Sequence, residues 1–255
     1  MFNTMIVRGS RPRHGVKFTM IRQYRRCASL LFLVACLTSG ATVFAQAQKE
    51  TKAPEVAPKQ GDSKTIRPFN GKNLDGWEGH ESNWSVKDGV IVGKNTDPVT
   101  VSTYLLTKET YSDFRFRGSV KLVQSEMHSG IAFWGRNAPE KGDRYTYAGH
   151  LVMFPSGWGF YDLFGRNGLP VDPLPAKKVG KQHDWNDLEI LAQGNRIRVA
   201  VNGVAVADWR DPAPGRIKEA PIGLQLHSNP VPQEVHFKDI VIETFPKEDK
   251  LISVK

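Results

Sequence analysis

The chain is 255 residues long, carries a formal net charge of +9 at pH 7 and contains two cysteines. Both cysteines and seven of the Lys and Arg residues fall in residues 1–45, which contain no Asp or Glu, so the net charge of the rest is +2. The remaining chain therefore cannot use disulfides, thiolate catalysis or a cysteine zinc site. Its small net charge also argues against a nucleic-acid or anionic-membrane partner.

Residues 1–45 have the features of a secretory signal peptide that follows an over-long start. Three arginines precede the apolar run at residues 28–35, and small residues lead to a cleavage site after Ala45. Met20 is the more natural start. The prediction is a periplasmic or extracellular protein with no transmembrane helix in the mature chain. The string Leu33-Val34-Ala35-Cys36 also matches a bacterial lipoprotein site, so a lipid anchor at Cys36 is the alternative.

Composition divides the rest of the chain into three parts. Residues 46–65 are rich in Lys, Glu, Pro and Gln and contain no aromatic residue, which predicts a flexible tether. Residues 66–246 are long enough for one domain with a sizeable core, and residues 247–255 form a short C-terminal tail.

The elements predicted within this domain are strands. In residues 114–122 the apolar residues and Gly118 alternate with Arg, Ser and Lys, and residues 196–201 alternate in the same way before the hairpin turn Asn202-Gly203. Residues 165–184 lack a strand pattern, which predicts a long loop that is either functional or a solvated crossover. The chain is therefore predicted to be all-β, a two-sheet antiparallel β-sandwich of about a dozen strands.

Several short segments together resemble one bacterial family, the 3-keto-disaccharide hydrolases or 3-keto-glucoside lyase/hydratases, first known as a domain of unknown function. The order and spacing of the segments carry the resemblance, at residues 69–77, 84–93, 129–133, 221–227 and 235–240. The resemblance implies a jelly-roll sandwich of the concanavalin A-like lectin/glucanase type and a carbohydrate substrate. It leaves the cofactor unknown, with a divalent cation as one option, and implies an oxidoreductase partner that supplies the 3-keto sugar.

The resemblance also implies a reaction. A ketone at C3 of the sugar acidifies the C2 proton, a base removes that proton, the aglycone leaves from C1, and water then adds back. This chemistry needs a general base near C2, a cation or hydrogen-bond donor for the enolate oxygen, and an acid for the leaving group. The Glu-x-Asp-x-Glu string of glucanases with the same fold is absent from the sequence, which disfavours direct hydrolysis by two carboxylates.

Three histidines are the candidate bases or metal ligands. Many family members carry a Gly-Tyr-Glu-x-Gln strand where this chain has residues 147–153, and His150 stands near the position of the glutamate. His227 ends a strand pattern and shares a face with Gln225, whereas His128 lies in a turn beside Glu126. Each histidine also has a structural interpretation, as a hydrogen-bonded strand end for His227, a buried core residue for His150 and an ordinary polar turn for His128.

Five further residues are candidates for substrate binding. Gln225, Asp162 and Arg166 would hold sugar oxygens, and Trp134 and Trp158 would stack on a pyranose ring. The favoured hypothesis is an exported enzyme that cleaves 3-keto-glycosides. The alternatives are a non-catalytic, lectin-like carbohydrate-binding module and a cell-surface interaction module.

Overall fold

The computed structural model describes residues 53–124, 128–155, 159–165 and 167–255. Several features predicted from the sequence lie outside the described residues. They are the signal peptide, the alternative lipid anchor at Cys36, the first part of the tether, Glu126, Trp158 and Arg166. Within the described ranges, no helix has the length and apolar character needed to span a membrane.

The described chain contains fifteen strands and little helix. In chain order the strands are β1 (Lys64–Ile66), β2 (Trp77–Glu78), β3 (Trp84–Lys87), β4 (Val90–Asn95), β5 (Thr103–Thr107), β6 (Phe114–Gln124), β7 (Ser129–Asn137), β8 (Tyr147–Phe154), β9 (Phe160–Asp162), β10 (Asn167–Gly168), β11 (Asn186–Gln193), β12 (Arg196–Val201), β13 (Val204–Arg210), β14 (Gly223–Leu226) and β15 (Gln233–Thr244). Residues 165–184 were predicted to be a loop without regular structure, but they contain β10 and the short helix α1 (Leu174–Val179).

The strands form two antiparallel sheets, which confirms the predicted all-β sandwich. The first sheet has the order β13-β12-β11-β6-β15-β4-β3, with β1 paired to β15, and the second has the order β10-β9-β8-β7-β14-β5-β2. We call them sheet A and sheet B. Many neighbours within each sheet are distant in sequence, as when β15 lies between β6 and β4.

The main hydrophobic core lies between the two sheets. Strand β6 shows why, because Phe114, Phe116, Val120 and Leu122 occupy its alternate positions and are each at most 1% exposed. Alternate side chains of a strand point to opposite faces, so one face of β6 enters the core and the other carries its polar residues. Cross-strand partners in β11 and β15 continue this apolar layer.

The predicted C-terminal tail is held against the sandwich by a buried ion pair. Arg115 of β6 and Glu189 of β11 are paired, with side chains only 1% and 0% exposed. Arg115 donates to the carbonyl oxygens of Lys250 and Glu248, and the Glu189 carboxylate accepts from the backbone N–H groups of Ile252 and Ser253. Side chains alternate along β6 and β11, so Arg115 and Glu189 lie outside the main core. The tail provides hydrogen-bond partners for both charged groups.

The described part of the predicted tether also contacts the domain. The backbone N–H of Val56 donates to Asn195 Oδ1 at 3.1 Å, and Asn195 Nδ2 donates to the carbonyl of Pro54 at 2.7 Å. Lys64 and Thr65 belong to β1, so the ordered strand pairing begins two residues before the predicted domain boundary. Hydrogen bonds to the sandwich, which composition does not reveal, hold this segment in place.

A second apolar cluster covers the outer face of sheet B, opposite the main core. It consists of Tyr104, Leu106, Ala132, Tyr147, Leu151, Met153, Leu163 and Ala220. Buried apolar residues on the outer face of a sheet need a cover or a function. This cluster forms the floor of the candidate site.

Candidate functional site

A pocket of about 250 Å3 lies over the second apolar cluster, on the outer face of sheet B. We call it the sheet B pocket. It is lined by Ser102, Tyr104, His128, Lys141, Thr146, Tyr147, Leu151, Met153, Tyr161, Leu163, Gln225 and His227. Three of the residues singled out in the sequence, His128, Gln225 and His227, come together here although about 100 residues of chain separate the first from the others.

The two histidines of the pocket are in ring contact. The ring centroids of His128 and His227 lie 4.3 Å apart, with the ring planes at 62°. Burial, and next the like charge that His227 would carry, lower the pKa of His128 to about 3. His128 is therefore a neutral imidazole at any ordinary pH, able to accept a hydrogen bond or hold a cation but a weak base.

Gln225 lines the same pocket as the two histidines and contacts a tyrosine of the floor. Its side chain is 2% exposed, and its Nε2 donates to the hydroxyl of Tyr104 at 3.1 Å. Its Oε1 has no hydrogen-bond partner among the described residues. A buried amide oxygen in this condition favours binding of a donor such as a sugar hydroxyl.

Two residues of the pocket were not anticipated from the sequence. Tyr161 of β9 pairs across the strands with Leu151 and is 36% exposed, so its ring is accessible beside the pocket. Lys141 donates from Nζ to the carbonyl of Leu163 at 2.8 Å, which brings a cation to the same wall. The alternation of Phe160, Tyr161 and Asp162 could have indicated Tyr161, because in a strand it places the tyrosine on the outer face and its two neighbours on the inner face.

His150 and Asp162 do not line the pocket, which corrects their expected place. The two are cross-strand partners, and His150 is stacked on Phe133 within the sandwich. In β8 the residues that face the pocket are Tyr147, Leu151 and Met153, so the strand alternation turns His150 to the opposite face. The interpretation of His150 as a buried structural histidine agrees with this placement.

Inside the sandwich, His150 and Asp162 belong to a charged network that we call the buried network. His150 Nε2 lies 2.7 Å from Asp211 Oδ2, and the same oxygen accepts from Arg216 Nε at 2.8 Å. Arg216 Nη1 then donates to Asp162 Oδ2 at 2.6 Å. Asp162 is therefore engaged by Arg216, so it is not available to a sugar.

The environment of Asp211 is strongly polarised. Its side chain is 0% exposed, and burial alone would raise the pKa of the carboxyl group. Hydrogen bonds from His150, Arg216 and the backbone N–H of Ala213 outweigh that burial and lower the pKa to about 2. The buried network thus keeps an ionised carboxylate in the core and connects β8, β9 and the segment after β13.

Trp134 is also displaced from its expected place. It is 1% exposed, and its indole N–H donates to the carbonyl of Ser112. The residue lies at an irregularity of β7, between Phe133 and Arg136, with φ at 55°. The bulge turns the indole into the core, so Trp134 is not accessible to a sugar ring, and Tyr161 is the accessible aromatic residue at the pocket instead.

The described lining of the pocket contains no carboxylate, and Leu151 and Met153, which face it from β8, are apolar.

The residues that line the pocket also limit how a divalent cation could be bound. Two adjacent imidazoles are suitable ligands, but hard cations take several oxygen ligands and zinc takes at least three protein ligands. Among the described residues there is no group of three or more His, Cys, Asp or Glu that could hold a metal ion. The described side chains therefore do not make a complete metal site.

Known structures show where this fold occurs. A candidate glycosyl hydrolase from Parabacteroides distasonis ATCC 8503 is similar with 20% identity and a TM-score of 0.53, covering 71% of this chain and 94% of that one. A second such structure from the same organism has 20% identity and a TM-score of 0.51, covering 71% and 100%. A lichenase from a mouse hindgut metagenome has 15% identity and a TM-score of 0.47, covering 72% and 99%. The two Parabacteroides likenesses concern the fold alone.

A comparison with curated protein sequences gives no match. The sequence profile of one domain family, described as 3-keto-alpha-glucoside-1,2-lyase-like, matches residues 64–243. This range covers nearly the whole sandwich, including every described residue of the sheet B pocket. The chain therefore belongs to the 3-keto-alpha-glucoside-1,2-lyase-like domain family.

Proposed function

We propose that the sheet B pocket cleaves 3-keto-glycosides, with His227 as the general base. The observation that carries this proposal is the contact of His128 and His227 in one pocket with Gln225. A base with a pKa of about 3 holds a proton too weakly to work well near neutral pH, which assigns proton transfer to His227 rather than His128. His128, which stays neutral, does not oppose the positive charge that His227 acquires.

The proposed reaction is an elimination followed by addition of water. An imidazole nitrogen of His227 takes the proton from C2, and the electron pair of that bond forms the enolate of the C3 ketone. The enolate collapses to the ketone, a C1–C2 double bond forms, and the C1–oxygen bond to the aglycone breaks. The His227 imidazolium returns its proton to the aglycone oxygen, and water then adds across the double bond with its OH at C1 and its other hydrogen at C2. Lys141 supplies a positive charge near the enolate oxygen, and Gln225 holds a sugar hydroxyl.

An aryl 3-keto-glucoside provides a direct test, because release of the phenol is followed by absorbance. His227→Gln is expected to lower kcat/KM by about 100-fold or more, the usual worth of a general base. His183→Gln is the matched control, because His183 is exposed and lies outside the pocket. Absence of phenol release from the unmodified protein for several aglycones, with and without divalent cations, would refute the enzymatic proposal.

A second candidate is a non-catalytic carbohydrate-binding module. The described lining of the pocket favours it, because Leu151 and Met153 are apolar and no Asp or Glu is among the lining residues. This candidate expects glycan binding, measured by titration calorimetry, to survive His227→Gln and to be lost with Tyr161→Ala. Turnover of the 3-keto-glucoside would decide against it.

We also propose that the protein is exported and acts after an oxidoreductase that forms the C3 ketone. The arginines and apolar run of residues 1–45 support export. A mass spectrum of the mature amino terminus tests it, because cleavage after Ala45, lipidated Cys36 and an uncleaved start give different masses.

A further inference from the structure

A larger cavity, of about 650 Å3, lies at one edge of the sandwich and has no part in the proposed reaction. We call it the His80 cavity. Its wall contains residues of β3 and β4, the segment between β4 and β5, and the turn at Gly142 and Asp143. Strand β5 separates it from the sheet B pocket, because Thr103 lines the His80 cavity while its neighbours Ser102 and Tyr104 line the pocket.

The cavity contains a histidine that a carboxylate orients. His80 Nε2 lies 2.7 Å from Asp143 Oδ2, while Asp143 Oδ1 accepts from the Thr103 hydroxyl and from the backbone N–H of Tyr145, each at 2.8 Å. In the tautomer that donates its Nε2–H to this carboxylate, Nδ1 is a hydrogen-bond acceptor. The His80 side chain is 35% exposed, so the imidazole remains accessible.

A second polar group points independently to a ligand. Asn95 lines the cavity and is 5% exposed, and its Nδ2 donates to the carbonyl of Asp97 at 2.6 Å. Its Oδ1 has no hydrogen-bond partner among the described residues. A buried amide oxygen without a partner is costly, and a ligand hydroxyl would satisfy it. The cavity therefore has one accessible acceptor, His80 Nδ1, and one buried acceptor without a partner among the described residues, Asn95 Oδ1.

The charges of the wall restrict the ligand. Lys94 is paired with Glu234 at 2.9 Å, and Asp143 is a carboxylate of the same wall. Glu81 and Asp97 are exposed carboxylates of the cavity, so a negatively charged ligand would be repelled. The remaining polar groups are hydroxyls and amides, which suit a neutral molecule that carries many hydroxyl groups.

We propose that the His80 cavity binds a neutral oligosaccharide at a site separate from the sheet B pocket. This would hold a glycan against one edge of the sandwich while the outer face of sheet B stays free. The proposal does not depend on catalysis, because none of its residues belongs to the reaction above. Acidic sugars, such as oligogalacturonates, are expected to be excluded by Glu81 and Asp97.

Amide chemical shifts of the full chain, followed during titration with cellotetraose, laminaritetraose and tetragalacturonate, test the proposal. At least one neutral tetrasaccharide is expected to shift amides around the cavity, and Asn95→Ala and His80→Ala should each weaken that binding by 10-fold or more. Thr100→Trp, which adds bulk at an exposed position of the wall, should block the site even if the other variants fold poorly. His227→Gln is the control and should leave these shifts unchanged.

The carboxylates provide the specificity test. The double variant Glu81→Gln, Asp97→Asn should bind the neutral tetrasaccharide unchanged and gain affinity for tetragalacturonate. Absence of cavity shifts with both neutral sugars, shifts confined to the sheet B pocket, or equal binding by Thr100→Trp would overturn the proposal. Loss of catalysis alone would not, so the two proposals can fail separately.

Discussion

Asp211→Asn tests whether the buried network holds the sandwich through an ionised carboxylate. The pKa of this carboxyl falls from an ordinary value of 3.8 to about 2, because donors outweigh burial. A difference of nearly two pKa units corresponds to about 2 kcal/mol of stability. Because the folded pKa is depressed, this stabilisation is complete well above pH 3.8 and disappears as the pH falls through 2.

Asparagine has nearly the same shape but cannot carry the charge, so it removes this contribution at pH 7. We expect Asp211→Asn to lower the free energy of unfolding by at least about 2 kcal/mol at pH 7, and Tm by about 4–8 °C. Because the folded pKa is about 2, the difference from the unmodified protein should narrow by about 1 kcal/mol between pH 7 and pH 3. Urea unfolding at pH 7, 5, 4 and 3 measures this, with m-values to confirm comparable transitions.

Asp208→Asn is the matched control. Asp208 is also paired with an arginine, Arg196, but its side chain is 52% exposed, and such surface pairs contribute about 1 kcal/mol or less. The assignment of a buried charged network would be refuted if the two variants lost the same free energy of unfolding. It would also be refuted if the loss in Asp211→Asn stayed constant from pH 7 to 3.

Three further predictions follow from burial and close contact. The ring nitrogens of His128 should show no protonation by NMR from pH 8 to 5, because the pKa is near 3, and the pKa should rise in His227→Ala because the neighbouring charge is removed. Gly135→Ala should abolish soluble folded protein, because a Cβ atom there would lie 1.8 Å from the carbonyl oxygen of Ala148, whereas Gly168→Ala, with nothing within 4 Å, should leave Tm unchanged. Arg115→Met should lower the free energy of unfolding, measured in urea, by about 3–5 kcal/mol, because it leaves the buried Glu189 without its charged partner. An unchanged Tm in this variant would contradict the role of the C-terminal tail. Arg136→Met, in an exposed pair, is its control.

The site was only partly predictable from the sequence. Gln225 and His227 were placed on one face because a strand alternates with period two, and this face does line the sheet B pocket. The same alternation indicated apolar neighbours for His150, and the structure places it in the core. Tyr161 was missed because its strand is three residues long, and Arg216 because its two carboxylate partners are Asp162 and Asp211, the first of them far away in sequence.

The sequence by itself determined the all-β class, the alternation of β6 and the hairpin of β12 and β13, because these follow from local periodicity and turn chemistry. It also determined the family, through segments whose order is fixed along the chain. Only the tertiary structure decided that His128 meets His227, that the tail covers Arg115, and that a bulge buries Trp134. Those outcomes depend on strand order and on contacts between distant segments, which local patterns do not encode.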